Sequence, residues 1–372
     1  MTYKERVNAA LSHKQPDKTP VSIGTMIVDG FTRYAKDNYE RYKGRPVTEA
    51  LVTSRAMQTA AVPEWILSDL DCEFRPARMI EAFTDNTVYT EEGFTDGYGL
   101  FWKKSELYFD PFKGPWQGDD LTIEDVKKNP WIDAYIPQKV AGMKERCRQI
   151  REAGYIAAAD MMSFGPFEHA IWMRGYENFL CDFYVNPELA EAILDRTAQG
   201  GIELFDALLS EIGGDIDIVS HGDDMGMQDR SLISPEIYDK YIKKYHKMQF
   251  DFIKSKTKAK IFFHSCGSIH ELIPGLIEAG VDILNPIQTS ARNMEPERLK
   301  KDFGSELVFW GGIDTQKMLP DATEQEVRDG FKRLIDVLGK DGGYVLAPSH
   351  NLQASLPPER IQLMIDCMKE YR

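Results

Sequence analysis

The segment His264-Ser265-Cys266-Gly267 has the residue types and spacing that most clearly indicate chemistry. It follows the apolar run AKIFF, typical of a buried strand, and precedes a helical pattern. Residues i and i+2 of an extended strand share a face, so the imidazole of His264 and the thiol of Cys266 are predicted to point at one place. A mixed nitrogen and sulfur donor set suits zinc better than magnesium or calcium. The alternative is a core histidine beside a small apolar cysteine.

A catalytic zinc site needs three protein ligands and one open position. His350 follows the apolar run YVLAP and is the predicted third ligand. Alternatively, His350 is a hydrogen-bonding catalytic histidine in a site without metal. Asp224, Glu168 or the substrate itself could supply a fourth ligand.

Short apolar runs alternate with helical patterns along most of the chain, and they are the elements that must position these residues. Alternating strands and helices predict an α/β fold, and about eight such units close a (β/α)8 TIM barrel. An open doubly wound sheet is the alternative. Such a sheet typically has a glycine-rich first turn, but the chain has no G-x-G-x-x-G or Walker A motif. The predicted strands are Thr19–Ile23, Cys72–Pro76, Tyr155–Met161, Ile216–Ser220, Ala259–His264, Ile283–Ile287, Leu307–Gly311 and Tyr344–Pro348.

Two helix starts carry specific capping signals. Ser234 is the predicted N-cap of a helix with Pro235 in its first position. Thr323 and Glu326 have the spacing of a capping box.

Residues 78–137 do not fit a simple strand–helix unit. The stretch TVYTEEGFTDGYGLFWKK alternates and has glycine turns, which predicts one or two hairpins. We expect an insertion, placed after the second strand, on a single domain spanning residues 1–372. Its Trp and Phe content suggests that it covers another part of the molecule; the alternative is a surface segment packed against nearby helices.

Polar residues follow most of the predicted strands, at the C-terminal ends where TIM-barrel active sites lie. Asp223 and Asp224 could act as a general acid and a general base, or one could be the active-site residue while its neighbour faces solvent. Asp224 and His350 are the predicted catalytic residues, whereas His246 is expected at the surface. The predicted substrate-binding residues are Asp160, His221, Gln288, Asp314, Gln316 and Asn351.

The composition excludes several classes of partner. The chain has 45 Lys and Arg against 59 Asp and Glu, a net charge of -14, and no basic cluster. This argues against binding to nucleic acid or to an anionic membrane surface. No run is apolar enough for a signal peptide or a membrane span. Five scattered cysteines are typical of a reducing compartment, so we expect a cytoplasmic protein.

Several segments together resemble the uroporphyrinogen decarboxylase superfamily: HSCGSIHELIPGLIEAGVDILNPIQ, FWGGIDTQ, APSHNLQASLPPERI and GDDMGMQDRSLISPEIYDKYIKKY. The resemblance runs from RVNAALSHKQPDKTPVSIG near the start of the chain to the last helix. It implies a distorted TIM barrel with a deep cleft at the C-terminal ends of the strands.

The resemblance is closer to one branch of that superfamily than to the other. True uroporphyrinogen decarboxylases carry an M-R-Q-A-G-R motif that binds acidic substrate side chains, but here the equivalent stretch SIGTMIVDGFTRYAKD has only Arg33. The zinc-dependent, corrinoid-linked methyltransferases carry an H-x-C motif, which His264 and Cys266 match. Their distant cysteine, in A-P-G-C-G, falls on His350. A histidine there would leave zinc more electrophilic, which suits an ether oxygen or another weak leaving group.

The resemblance therefore implies a zinc-dependent methyltransferase that moves a methyl group between a small substrate, or a thiol acceptor, and a corrinoid carried by a partner protein. Homodimers are common among such barrels. Two alternatives stay open: a metal-free decarboxylase-type lyase acting on another acid, and a non-catalytic protein that binds a corrinoid or a tetrapyrrole.

Overall fold

The computed structural model describes residues 1–78, 87–129, 140–160 and 165–372. Within these residues, a parallel sheet of seven strands runs in the order β14-β13-β12-β11-β10-β9-β4. The sheet is curled into a half-barrel, which agrees with the predicted α/β class and with a distorted (β/α)8 TIM barrel. Its strands are β4 (Phe74–Arg78), β9 (Ile156–Asp160), β10 (Ile218–Gly222), β11 (Lys260–His264), β12 (Ile283–Ile287), β13 (Val308–Ile313) and β14 (Tyr344–Pro348).

The strands of this sheet are buried along nearly their whole length, as expected when helices cover one face and the barrel interior the other. Their register aligns the C-terminal ends. Gly222 of β10 lies opposite His264 of β11, and His264 lies opposite Asn285 of β12. The predicted strands after the first agree with these to within a few residues, although Met161 lies outside the described residues.

The predicted first strand, Thr19–Ile23, is reduced to a single parallel bridge between Val21 and Leu346. On the β14 side, Ser22 N–H donates to the Leu346 carbonyl at 2.9 Å. On the other side, Val21 N–H donates to the Glu73 carboxylate at 3.0 Å instead of to a strand carbonyl. Pro20 has no N–H to donate. A regular ladder therefore does not form, and a side chain closes part of the gap.

Helices follow the strands, and their starts agree with the capping signals. The Ser234 hydroxyl accepts from Ile237 N–H, and Thr323 with Glu326 forms the predicted capping box. The α-helices are Tyr3–Leu11, Arg33–Tyr42, Glu64–Asp69, Ile123–Lys128, Met143–Glu152, Pro166–Arg174, Tyr176–Val185, Pro187–Ile212, Pro235–Ile237, Lys243–Lys256, Ile273–Ala279, Pro296–Phe303, Met318–Asp321, Glu324–Leu334 and Pro358–Tyr371. Shorter π- and 3-10-helical turns cover Tyr238–Ile242, His270–Leu272 and Ile335–Gly339.

The segment between β4 and β9 contains the predicted hairpins. In its described part, four antiparallel strands pair in the order β5-β6-β7-β8. Trp102 packs edge-on against Trp172 of the helix Pro166–Arg174, with ring centroids 5.4 Å apart. Residues 79–86 and 130–137 of the predicted insertion lie outside the described residues, and the single-domain assignment stays a prediction. These strands are β5 (Val88–Tyr89), β6 (Gly93–Thr95), β7 (Phe101–Ser105) and β8 (Tyr108–Lys113).

A third, small antiparallel sheet lies near the N-terminus, in the order β1-β3-β2. Its strands are β1 (Phe31–Thr32), β2 (Val52–Ser54) and β3 (Thr59–Ala60). Among the helices described here, none has the length and apolar character that a membrane crossing requires.

Candidate metal centre

The structure brings His264, Cys266 and His350 together. One ligand atom from each lies within 4.8 Å of the others. His264 Nε2 is 3.4 Å from Cys266 Sγ, and the rings of His264 and His350 have centroids 6.1 Å apart. His264 is the last residue of β11, whereas His350 lies two residues beyond the end of β14. We call these three residues the His264–Cys266–His350 cluster.

Asn285 sets the orientation of the His264 ring. Its side-chain nitrogen donates to the Trp310 carbonyl at 3.1 Å, which leaves its side-chain oxygen 2.5 Å from His264 Nδ1. Nδ1 therefore carries the proton, and Nε2 presents a lone pair toward Cys266. Metal-binding histidines are commonly held in this way by an acceptor behind the ring.

The Cys266 thiol lies in surroundings that oppose its negative form. Burial raises the pKa of Cys266 well above the ordinary thiol value, and the charges of Asp224 and Glu168 act in the same direction. A cation beside the sulfur would reverse this, because metal coordination deprotonates a thiol. The backbone N–H of Cys266 donates to Asp224 Oδ1 at 2.8 Å, which holds the residue at the strand end.

His350 is held in its neutral form. Burial, followed by the neighbouring charge of His264, lowers the pKa of His350 to about 4. Neutral imidazole is the form that binds metal ions. Two nitrogens and one sulfur, with an ordered acceptor behind one ring, are a donor set that fits zinc.

Asp224 and Asp223 face opposite ways. Asp224 Oδ1 lies 3.7 Å from His264 Nε2, and its side chain is 41% exposed. Asp223 is fully buried and accepts from the backbone N–H groups of Phe167 at 3.1 Å and Glu168 at 2.6 Å. Asp224 is thus the member of the pair beside the cluster, while Asp223 caps the helix Pro166–Arg174.

The expectation that His246 lies at the surface was wrong. Its side chain is fully buried, and Nε2 lies 2.8 Å from Asp223 Oδ2 while Nδ1 lies 3.0 Å from the Tyr238 hydroxyl. The missed signal was periodicity, because the buried face of the helix Lys243–Lys256 includes His246, Gln249, Phe250 and Ile253.

A cavity of about 200 Å³ opens beside the cluster. Of the predicted site residues, Cys266, His350, Gln288 and Gln316 line it. The described lining residues are Gly226, Met227, Gln228, Cys266, Gly267, Gln288, Thr315, Gln316, Ser349 and His350.

Four predicted substrate-binding residues have other surroundings. His221 is buried between Phe205 and Phe263, with Nε2 2.7 Å from Gln249 Oε1. The Asp160 carboxylate is paired with Arg78 at 2.9 Å. Neither His221 nor Asp160 lines the cavity, so a substrate-binding role for these two residues stays a prediction.

Asp314 and Asn351 act on the loops around the cavity. Asp314 Oδ1 accepts from the backbone N–H of Gln316 at 2.8 Å and so holds the turn that presents Gln316. Asn351 Oδ1 accepts from Gly30 N–H at 2.9 Å, which ties the loop after β14 to the loop that precedes β1.

The fold is similar to that of a solved methyltransferase from Methanosarcina mazei, with a TM-score of 0.68 and 15% identity over 100% of this chain and 99% of that one. A B12-independent methionine synthase from Shewanella sp. W3-18-1, in complex with selenomethionine, covers 61% of this chain and 65% of its own at 13% identity; its TM-score of 0.39 carries no argument. A comparison with curated proteins gives no match. The family model described as "Uroporphyrinogen decarboxylase (URO-D)" matches residues 105–371, which is more than half of the chain. The chain therefore belongs to the uroporphyrinogen decarboxylase family.

Proposed function

We propose that this protein is a zinc-dependent methyltransferase that exchanges a methyl group between a small substrate and a corrinoid carried by a partner protein. The observation that carries the proposal is the convergence of His264, Cys266 and His350, two of which, Cys266 and His350, line the adjoining cavity. The Methanosarcina neighbour is named a methyltransferase, and its fold extends over the whole of this chain. That name supports methyl transfer as the reaction class.

Zinc bound to the cluster would act as a Lewis acid toward the substrate heteroatom, which weakens a heteroatom–methyl bond or lowers a thiol pKa. The remaining roles belong to the chain itself. Asn285 fixes the His264 tautomer, and the lowered pKa of His350 keeps its nitrogen free at neutral pH. Asp224 is placed to accept a proton or a hydrogen bond beside the cluster. The corrinoid protein would dock over the cavity mouth.

Two properties of the site disfavour the lyase alternative. A proton donor works best with a pKa near the working pH, whereas His350, with a pKa of about 4, is almost entirely unprotonated at pH 7. The lyase reading also gives no reason for a thiol beside two imidazoles.

We further propose a cytoplasmic location and a homodimeric state. All five cysteines are free, and four of them are at least partly buried. A protein of this kind needs reducing conditions to keep Cys266 available as a ligand.

The metal content of the purified protein tests the proposal directly. We expect about one zinc per chain in the wild type, and strongly reduced zinc in Cys266→Ser and His350→Ala. Cys181→Ser is the matched control, because Cys181 is an exposed cysteine outside the cluster. Wild-type protein that holds no zinc after growth and purification in zinc-containing medium would contradict the proposal.

Turnover is the second measurement. Zinc-loaded protein is mixed with a cobalt(I) corrinoid protein and candidate methyl donors, and the visible spectrum reports cobalt methylation. We expect methylation with the wild type and none with Cys266→Ser. Ligand binding without turnover for every donor, unchanged in the His264→Ala variant, would favour the binding-only alternative.

A further inference from the structure

The cavity wall beside the cluster is built from three amide side chains. Gln228, Gln288 and Gln316 come from three different loops, and Gln288 contacts each of the other two. Gln288 Nε2 lies 3.2 Å from Gln228 Oε1 and 3.5 Å from Gln316 Oε1. We call these three residues the glutamine wall.

Backbone and hydroxyl groups fix the orientation of each amide. Gln288 Oε1 accepts from Gly267 N–H at 2.8 Å, so its NH2 group must face the other two glutamines. Gln228 Nε2 donates to the Ser290 carbonyl at 2.5 Å, which turns its oxygen toward Gln288. Both amides are thus committed to contacts within the protein.

Gln316 differs from the other two. Its oxygen accepts from the Ser290 hydroxyl at 2.9 Å, so its NH2 group points away from the wall. Within the described part of the chain, no acceptor is bound to Gln316 Nε2. Asp314 holds its backbone in place. Gln316 is an exposed member of the cavity lining, so its NH2 group faces solvent in the free protein and can exchange water for a substrate oxygen.

The cavity lining is uncharged apart from the ligands themselves. None of its described lining residues is Lys, Arg, Asp or Glu, and Thr315 and Ser349 add a pair of hydroxyls 3.5 Å apart. Asp224 lies beside the cluster, and the chain has a net charge of -14. Zinc would bring positive charge to the cluster itself, where the substrate heteroatom would bind. An anionic group elsewhere in the cavity would lose hydration without gaining a cationic side chain, which is costly.

We propose that the substrate is an uncharged polar molecule. Its methyl-bearing or thiol heteroatom would meet the cluster, while a hydroxyl, ether or carbonyl oxygen would accept a hydrogen bond from Gln316 Nε2. Carboxylates, sulfonates and phosphates are excluded as the part of the substrate that occupies the cavity. This inference rests on the proposed function and names the substrate class of the same site.

Two thiols with the same two-carbon skeleton test the proposal by titration calorimetry on zinc-loaded protein. 2-Mercaptoethanol is neutral at its far end, whereas 2-mercaptoethanesulfonate is anionic. We expect the neutral thiol to bind on the order of tenfold more tightly, because the Gln316 donor can serve either far end but no lining side chain offers a cation to offset the lost hydration of the sulfonate.

Variants at Gln316 sharpen the test. Gln316→Leu is expected to reduce affinity for the neutral thiol by about threefold to tenfold. Gln316→Lys is expected to reverse the preference in favour of the sulfonate. Gln325→Leu is the control, because Gln325 is an exposed glutamine that does not line the cavity and bonds Asp329 within the helix Glu324–Leu334.

Equal or tighter binding of the sulfonate to the wild type would overturn the proposal. Lys317, which adjoins Gln316 but does not line the cavity, is the nearest cation in sequence, so Lys317→Gln is measured as well. Loss of tight sulfonate binding in that variant would show that a charged rim selects the substrate. Zinc is assayed on the same samples. Absence of zinc contradicts the proposed function, whereas zinc-loaded protein that prefers the anion contradicts only the substrate class.

Discussion

His264 Nδ1 lies 2.5 Å from Asn285 Oδ1, and Asn285 is itself held by the Trp310 carbonyl. Three neighbouring strands thus act in series, since β13 orients an amide on β12, which orients a ring on β11. The relationship places His264 Nε2 beside Cys266 before any ligand arrives.

Replacing Asn285 by Leu should therefore lower zinc affinity, by about 10- to 100-fold, because the His264 ring loses the acceptor that fixes its tautomer. Asn285→Asp keeps an acceptor at the same place and should retain tighter binding than Asn285→Leu. Competition with a chromogenic chelator measures both constants. Equal affinity in Asn285→Leu and the wild type would show that the contact does not organise the cluster.

Gly267 and Gly154 form a matched pair for testing close backbone approach. Both have φ of +87°, but a Cβ on Gly267 would lie 2.6 Å from the backbone carbon of Gly226, whereas one on Gly154 would meet nothing within 4 Å. Gly154→Ala should cost about 1 kcal/mol from backbone strain alone. Gly267→Ala should cost about 2 kcal/mol more and should displace the loop that lines the cavity. Urea unfolding measures the free energy of unfolding of both variants. Equal losses of stability would mean that the loop at Gly226 moves aside at no cost in free energy.

Stability should fall as the pH drops below 7, in part because of His221. Burial lowers the pKa of His221 to about 3, so the folded state keeps it neutral while the unfolded state takes up a proton near the ordinary value of 6.5. Between pH 7.5 and 5.5 this single residue should reduce the free energy of unfolding by about 1.4 kcal/mol. His221→Phe should show a loss smaller by that amount, measured by urea unfolding at the two pH values. The same pH-dependent loss in both proteins would contradict the assignment.

The Asp223 carboxylate should be a major stabilising group although it does not line the cavity. It accepts two helix N-terminal N–H groups, from Phe167 and Glu168, and contacts His246; the Asp223 and His246 side chains are both fully buried. Asp223→Ala should reduce the free energy of unfolding by about 3 kcal/mol, since it leaves these donors without a partner. Asp229→Ala, at an exposed position, should change it by less than about 0.5 kcal/mol. A loss at Asp223 as small as that at Asp229 would refute the capping role.

Local patterns were sufficient for much of the fold. Most strands of the parallel sheet are short apolar runs, although β4 contains Arg75 and Arg78. The capping box at Thr323 and Glu326 needs only residues three apart. The first strand was different. Val21 pairs with the Glu73 side chain, a contact between distant segments that no local pattern reveals.

The same division holds for the site. His264 and Cys266 were identified from their spacing on one strand end, and His350 from its place after the last strand. Their supporting partners were harder to assign, because Asn285, Asp223 and His246 act through contacts 21 or more residues apart in the chain.

The amino-acid sequence by itself determined which strands carry the candidate ligand residues and at which end of the sheet those residues lie, because hydrophobic runs and the alternation of side chains are local properties. Only the tertiary structure decided that His264 and His350 meet. In the sheet, β11 and β14 are separated by β12 and β13, and three flat strand spacings would place them about 14 Å apart. The curl of the sheet turns their ends inward, so that the candidate ligand atoms of the cluster lie within 4.8 Å of one another. That curvature arises from the twist and packing of the whole barrel, and no single segment encodes it.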